Sequence, residues 1–274
     1  MQASSSTLGR RGALGRTPRA SLVVLAAALA ACSEPDRSAR VVRDPELRGE
    51  RVSLYPAVDS ARAPRAVIIF FGNDIGFWRP HRQLATSLAD AQYAVAGLDI
   101  RPLLSSLPEE KADRDSAFIT RIERLVERSR HELRGDSVPV IIAGHSLGAE
   151  LAIWAAAQAC LPGVRGVLAL APGTRSHLRI SMSDIMNGPE PTDPESFSVA
   201  DAISMIPAEQ RIAIVRGTRD EYTRADSSLL AAGGVRATRF LVPFAGHSLK
   251  RLVTTGLETR RALDWLLAGE AVRR

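Results

Sequence analysis

The run Val138-Pro139-Val140-Ile141-Ile142-Ala143-Gly144-His145-Ser146-Leu147-Gly148-Ala149-Glu150-Leu151-Ala152-Ile153-Trp154-Ala155-Ala156-Ala157 decides how this chain folds. Its first six residues are apolar, four of them β-branched, and its last nine form a strong helix-forming run. Between them lies Gly144-His145-Ser146-Leu147-Gly148, a G-x-S-x-G pentapeptide at a strand-to-helix junction. A serine on so sharp a turn takes a strained backbone conformation. Side chains two residues to either side would collide, so glycine stands in both places. The turn lifts the Ser146 hydroxyl to the top of a sheet, and the helix N-terminus beneath it favours developing negative charge.

Outward from this junction, continuous apolar runs mark a parallel sheet buried on both faces: 66–71, 93–98, 138–143, 166–171, 212–215 and 238–242. Residues 51–55 alternate like a further strand, and 59–64 read as a turn. Helical patterns separate the runs at about 79–91, 112–132, 147–159, 223–232 and 257–268. Strand alternating with helix means a doubly wound α/β fold. The stretch 173–210 breaks this rhythm. It is rich in Pro, Asp, Ser and Met, and an excursion of that length after the strand following the nucleophile helix suits a cap or lid. No internal repeat is present.

The 274 residues suit one α/β domain, placed at 49–274, plus a targeting segment. The net charge of +6 is misleading, because Arg10, Arg11, Arg16 and Arg19 lie in the first 31 residues, which hold no acidic residue. Without those four, the 36 basic residues fall to 32 against 30 acidic ones. A body so nearly neutral excludes nucleic acid as a charge-driven partner, and the few aromatics argue against a base-stacking surface. The basic stretch through Arg19 and the apolar run Leu22–Ala31 read as a signal peptide, since ten residues cannot cross a bilayer as a helix. Leu29-Ala30-Ala31-Cys32 resembles a bacterial lipobox, which implies cleavage before Cys32 and its lipidation. Ser33 after the cysteine points to the outer membrane, with the protein facing the periplasm. Residues 32–48 then form a charged tether. Cys160 remains as a lone thiol, expected as a buried small hydrophobe ending a helix. There is no zinc-spaced Cys/His cluster, P-loop or dinucleotide fingerprint, so neither metal nor cofactor is expected.

The elbow and the alternating pattern together resemble the α/β-hydrolases. That resemblance implies a nucleophile, an acid and a histidine in the chain order serine, acid, histidine. A serine hydroxyl needs a base to take its proton. Downstream of Ser146, strand 212–215 runs into Arg216-Gly217-Thr218-Arg219-Asp220-Glu221, which places Asp220 just past a strand end, with Glu221 in reserve. Strand 238–242 runs into Pro243-Phe244-Ala245-Gly246-His247, so His247 sits at the same sheet edge and is the expected base. His145 is expected to point away from the nucleophile and pack beside the sheet, and His131 to be solvated. His81 and His177 fall outside the required order. Leu147 and Asn73 are expected to supply the two backbone N–H donors of an oxyanion hole, Asn73 from the loop Gly72-Asn73-Asp74-Ile75-Gly76-Phe77-Trp78.

From about Ala66 to His247 the chain also resembles the VirJ/AcvB group of bacterial periplasmic virulence proteins. The resemblance rests on the 72–78 loop, the elbow through Glu150, Leu170-Ala171-Pro172 with 178–183, Asp220-Glu221 and Gly246-His247. The loop is longer here and has lost a glycine. The group's link to type IV secretion implies secretion-system proteins as partners. Its aminoacyl-phosphatidylglycerol hydrolysis implies a phospholipid ester as substrate. Such an ester carries an ammonium group, and Asp74, Glu150 and Glu221 are candidates to meet it; each reads equally as a solvated surface residue. The expectation is a lipid-anchored serine hydrolase that cleaves a carboxylic ester through an acyl-serine. The alternative is a hydrolase-fold lipoprotein acting as a non-catalytic scaffold in an envelope complex.

Overall fold

Val67–Phe71 (β2) and Val140–His145 (β4) lie side by side, parallel and in register from Val67↔Val140 to Phe71↔Gly144, at the centre of a seven-stranded sheet. A computed structural model of the chain describes residues 39–40, 42–186, 188–248 and 256–268, all within a compact unit spanning Asp36–Arg274. The signal peptide and Cys32 lie outside the described residues. The remaining strands are Val52–Tyr55 (β1), Ala94–Leu98 (β3), Val164–Leu170 (β5), Arg211–Gly217 (β8) and Ala237–Val242 (β9). Their order is β1-β3-β2-β4-β5-β8-β9, and only β1, at one edge, runs antiparallel.

Every side chain of β2 is buried because both faces are covered, which is why the run carries no polar alternation. Val67, Ile69 and Phe71 join one core and Ile68 and Phe70 the other, as the two-residue period of a strand requires. The helices Arg79–Asp90 (α2) and Leu257–Leu267 (α9) cover the second core through Leu84, Leu88, Leu263 and Leu266. Lys111–Glu132 (α4), Leu147–Gln158 (α5) and Asp226–Gly233 (α8) cover the first. Each fully buried Val, Ile or Phe contributes roughly 1.5–3 kcal/mol before the entropy of ordering it.

The structure corrects several expectations. The supposed tether packs on the domain from Ala39 onward. Arg40 bridges to Leu54, and Pro45–Gly49 forms a short helix (α1) capped by Asp44 with Leu47 buried beneath it. Arg128 of α4 holds Asp44 at 2.6 Å and Glu46 at 2.8 Å. A second unforeseen helix, Ile100–Ser105 (α3), starts from Asp99 as its cap. Within the expected cap at 173–210, Arg175–Ser176 (β6) pairs antiparallel with Phe197–Ser198 (β7), and Met182–Ile185 makes a single turn (α6). The last part is no cap. Val199–Met205 (α7) buries Val199, Ala202 and Ile203 in the same core as α5, serving as the ordinary crossover helix between β5 and β8. Phe197 stacks on Trp154 of α5 at 4.5 Å, so this end of the excursion is fastened to the body. Cys160 is exposed, because α5 ends at Gln158 and the chain turns outward there.

Candidate active site

Ser146 takes φ 53° and ψ −126°, a conformation that costs a non-glycine residue about 1–3 kcal/mol. Close packing holds it there. A Cβ on Gly144 would lie 2.0 Å from the Gly148 carbonyl oxygen, and one on Gly148 would lie 2.0 Å from that of Gly72. Only glycine at both places lets α5 start this near β4 and β2. The loop after β2 is thereby drawn against the first turn of α5. The first amides of a helix have no intrahelical acceptor, so the Leu147 N–H is available beside the serine hydroxyl.

His247 arrives from the loop after β9, and its Nε2 is 2.9 Å from Ser146 Oγ. Its Nδ1 lies 3.3 Å from both carboxylate oxygens of Asp220, which follows β8. Asp220 is buried and held from behind: Tyr222 N–H donates to Oδ1 at 3.0 Å and Arg216 Nη1 donates to Oδ2 at 3.0 Å. Burial pushes this carboxyl up. The bond from His247 and the Arg216 charge more than offset that, and its pKa falls to about 2. Arg216, wholly buried, is itself neutralised by Asp226 at 2.8 Å and donates to the Pro172 carbonyl at 2.5 Å. A charged residue inside the apolar strand 211–217 is the one trace of this network in the sequence.

The expected serine, base and acid thus converge from three chain segments. Glu221, the reserve acid and candidate substrate residue, fills neither role. It is exposed and lies off the cleft, and Tyr222 lines the wall instead. Asn73 is buried at the start of the 72–78 loop, with its carbonyl accepting from Gly76 N–H at 2.8 Å. It is Asp74 that reaches the cleft wall. His131 is exposed, as expected. His145 does not simply pack beside the sheet. Its Nδ1 is 3.3 Å from His81 Nε2 and its Nε2 is 2.9 Å from the His247 carbonyl oxygen.

The cleft over Ser146 is small, about 70 Å³. Four carboxyl groups face it, from Asp74, Glu150, Asp184 and Glu190, against one guanidinium, Arg175. Glu150 is buried rather than solvated, and its Oε1 accepts from Gly173 N–H at 2.8 Å. Burial lifts its pKa to about 7 despite the hydrogen bond from Gly173. Burial also raises that of Asp74, aided by the nearby Asp184. Glu190 accepts from Thr174 N–H at 2.5 Å and from its hydroxyl. Asp184 is fixed by His177 Nε2 at 2.9 Å and by Ser181 N–H at 2.6 Å. Sequence reading missed Arg175, Asp184, Glu190 and Tyr222, since nothing local sets them apart from polar loop residues. Among the described residues no group of metal-ligating side chains is arranged to hold an ion.

No protein-family model matches the chain, and no curated protein sequence matches it. Solved structures do. Esterase B from Lactobacillus rhamnosis aligns with a TM-score of 0.59 at 17% identity, over 92% of this chain and 94% of that one. A putative dienelactone hydrolase from Klebsiella pneumoniae aligns with a TM-score of 0.58 at 12% identity, over 79% of this chain and 92% of its own. Est1E from Butyrivibrio proteoclasticus gives 0.56 at 14% identity, over 80% and 94%. At such identities the likeness is one of fold.

Proposed function

From a chain that has the α/β-hydrolase fold, we propose a serine hydrolase that cleaves a carboxylic ester through an acyl-enzyme. The observation that carries this reading is the line Ser146 Oγ–His247 Nε2–Asp220, with contacts of 2.9 and 3.3 Å. His247 Nε2 takes the hydroxyl proton as Ser146 Oγ attacks the carbonyl carbon. Asp220, kept ionised by Arg216, steadies the imidazolium that forms. The tetrahedral oxyanion is held by the Leu147 N–H and by the Asn73 N–H, from the loop that Gly72 presses against α5. His247 then protonates the departing alcohol, and a water activated by the same imidazole releases the acid.

The finer reading is an aminoacyl ester of a phospholipid, as the VirJ/AcvB resemblance implies, cleaved in the periplasm by a lipoprotein anchored through Cys32, as the lipobox-like Leu29–Cys32 implies. Two features of the site support it. A cleft of about 70 Å³ is far below the size that takes a long acyl chain. Its excess of carboxyl groups complements an ammonium group.

Fluorophosphonate labelling of the full-length protein beside Ser146→Ala tests the chemistry. Labelling that vanishes in the variant is the expected result. A folded wild-type protein that does not label would remove the acyl-enzyme and leave the scaffold reading. For the substrate, Asp74→Asn is expected to lower kcat/KM for alanyl or lysyl phosphatidylglycerol about tenfold, with a smaller loss on a neutral short-chain ester. Equal losses on both would sink the recognition of a cation.

A further inference from the structure

His81 occupies the third position of α2 and is fully buried, with Phe70 at 5.6 Å and Phe77 at 5.4 Å between ring centres. Its Nδ1 lies 3.3 Å from the backbone N–H of Trp78. A backbone N–H can only donate, so His81 Nδ1 must be the bare acceptor and its proton must sit on Nε2. That Nε2 is 3.3 Å from His145 Nδ1, which therefore also accepts, and the proton of His145 is driven to its own Nε2. From there it donates to the carbonyl oxygen of His247 at 2.9 Å. Each link dictates the next, so the chain from the Trp78 amide to the His247 carbonyl has one direction and one tautomer per ring.

We propose that His81 and His145 are positioning residues that lock the backbone of His247, and so hold its imidazole between Ser146 and Asp220. The role presupposes the serine-hydrolase reading and adds to it. The geometry is economical, because His145 is the residue before the nucleophile. One rigid turn therefore carries Ser146 on one residue and the anchor of its base on the preceding one. Both rings must stay neutral for the relay to hold, since a proton added to either puts two donors face to face. Burial and the neighbouring His247 hold His145 at about 3, and burial with His145 holds His81 well below the ordinary histidine value. The charges sensed by the pair are those of His247 and Asp220, which act on His145 in opposite senses.

Two measurements on the full-length protein test this. Long-range ¹H–¹⁵N correlation of histidine-labelled protein is expected to show two imidazoles fixed as the Nε2–H tautomer from pH 5 to 9. A titrating ring, or an Nδ1–H tautomer, at either position overturns the relay. Steady-state hydrolysis of p-nitrophenyl acetate, normalised to fluorophosphonate-titrated serine, gives the second readout. His145→Leu is expected to lower kcat roughly 10- to 100-fold with KM little changed, because the His247 carbonyl loses its donor. His145→Gln, whose amide nitrogen can occupy the place of Nε2, recovers most of that loss. His81→Phe, which fills the same apolar space, lowers kcat in the same direction. A Leu variant that melts earlier but turns over at the wild-type rate per titrated serine would make the pair structural only and overturn the proposal. Absence of titratable serine in the wild type would instead count against the hydrolase reading, and the tautomer measurement is independent of it.

Discussion

Glu150 lines the cleft yet is buried, with Gly173 N–H on Oε1 and the Glu190 carboxylate adding repulsion. Burial is the main reason that its carboxyl rises from the ordinary 4.5 to about 7. Between those values the folded protein keeps a proton that the unfolded chain has lost, so this group makes stability fall as pH rises through the window. Above pH 7 the whole cost is present, about 3 kcal/mol. We expect Glu150→Gln to gain up to about 3 kcal/mol in urea unfolding at pH 8 and close to nothing at pH 4. Equal gains at both pH values would show that packing, not titration, sets the effect. On the proposed reading the same substitution reports on function, because an ionised Glu150 would be one of the carboxyl groups offered to a cationic substrate. Loss of activity on aminoacyl esters with retention on neutral ones is the expected pattern.

The elbow is an element whose parts fail together. Gly144 stands against the Gly148 carbonyl, Gly148 against that of Gly72, and Ser146 between them at φ 53°. A methyl group at Gly148 would meet backbone on the opposite side, which cannot turn away as a side chain can. Gly148→Ala must therefore move α5 off the loop after β2. We expect a loss of about 1–3 kcal/mol in stability, and a larger effect on turnover, about a hundredfold, as the Asn73 and Leu147 amides separate. Fluorophosphonate labelling rates beside thermal midpoints check this. A destabilised variant that labels at the wild-type rate would mean that the loop after β2 supplies no oxyanion donor. The segment above the cleft behaves as two pieces. Arg175, Ser183, Asp184 and Gly188 to Pro191 line the site, whereas α7 and the Phe197–Trp154 stack belong to the body.

Across the whole molecule the buried titratable groups set the stability profile. His145 at about 3 and His81 below its ordinary value both refuse protons that the unfolded chain accepts near 6.5. Their contribution is complete above 6.5 and is lost as pH falls below it, down to about 3 for His145. Asp220, lowered to about 2, adds a loss of about 2 kcal/mol as pH drops from its ordinary 3.8 to that value. Glu150 works in the opposite sense between 4.5 and 7. Two histidines outweigh one glutamate below pH 6.5, so stability is expected to climb from pH 3 and level off near pH 7. Thermal midpoints across pH 3–8 test this, with His145→Gln flattening the acid arm. A midpoint unchanged between pH 4 and 7 would rule out both histidines as the cause.

The apolar runs, the helical patterns between them and the elbow glycines were readable in the sequence by itself. Each reflects a local rule: strands buried on both faces carry no polar alternation, and a turn under close approach admits only glycine. The meeting of Ser146, Asp220 and His247 was readable for a related reason, since strand ends at one edge of a parallel sheet are neighbours in space. The short helices α1 and α3 carried their signal too, in Asp44-Pro45-Glu46 and in Asp99, but each is too brief to show a helical period. What tertiary structure alone decided depends on contacts across long stretches of chain. The burial of Glu150, the exposure of Cys160 and Glu221, and the exchange of Glu221 for Tyr222 at the wall are of this kind. So are the Arg216–Asp226 pair behind Asp220 and the meeting of His81 with His145, 64 residues apart. A side chain's neighbours across the sheet, not its neighbours in sequence, determine whether it is dry, charged or held.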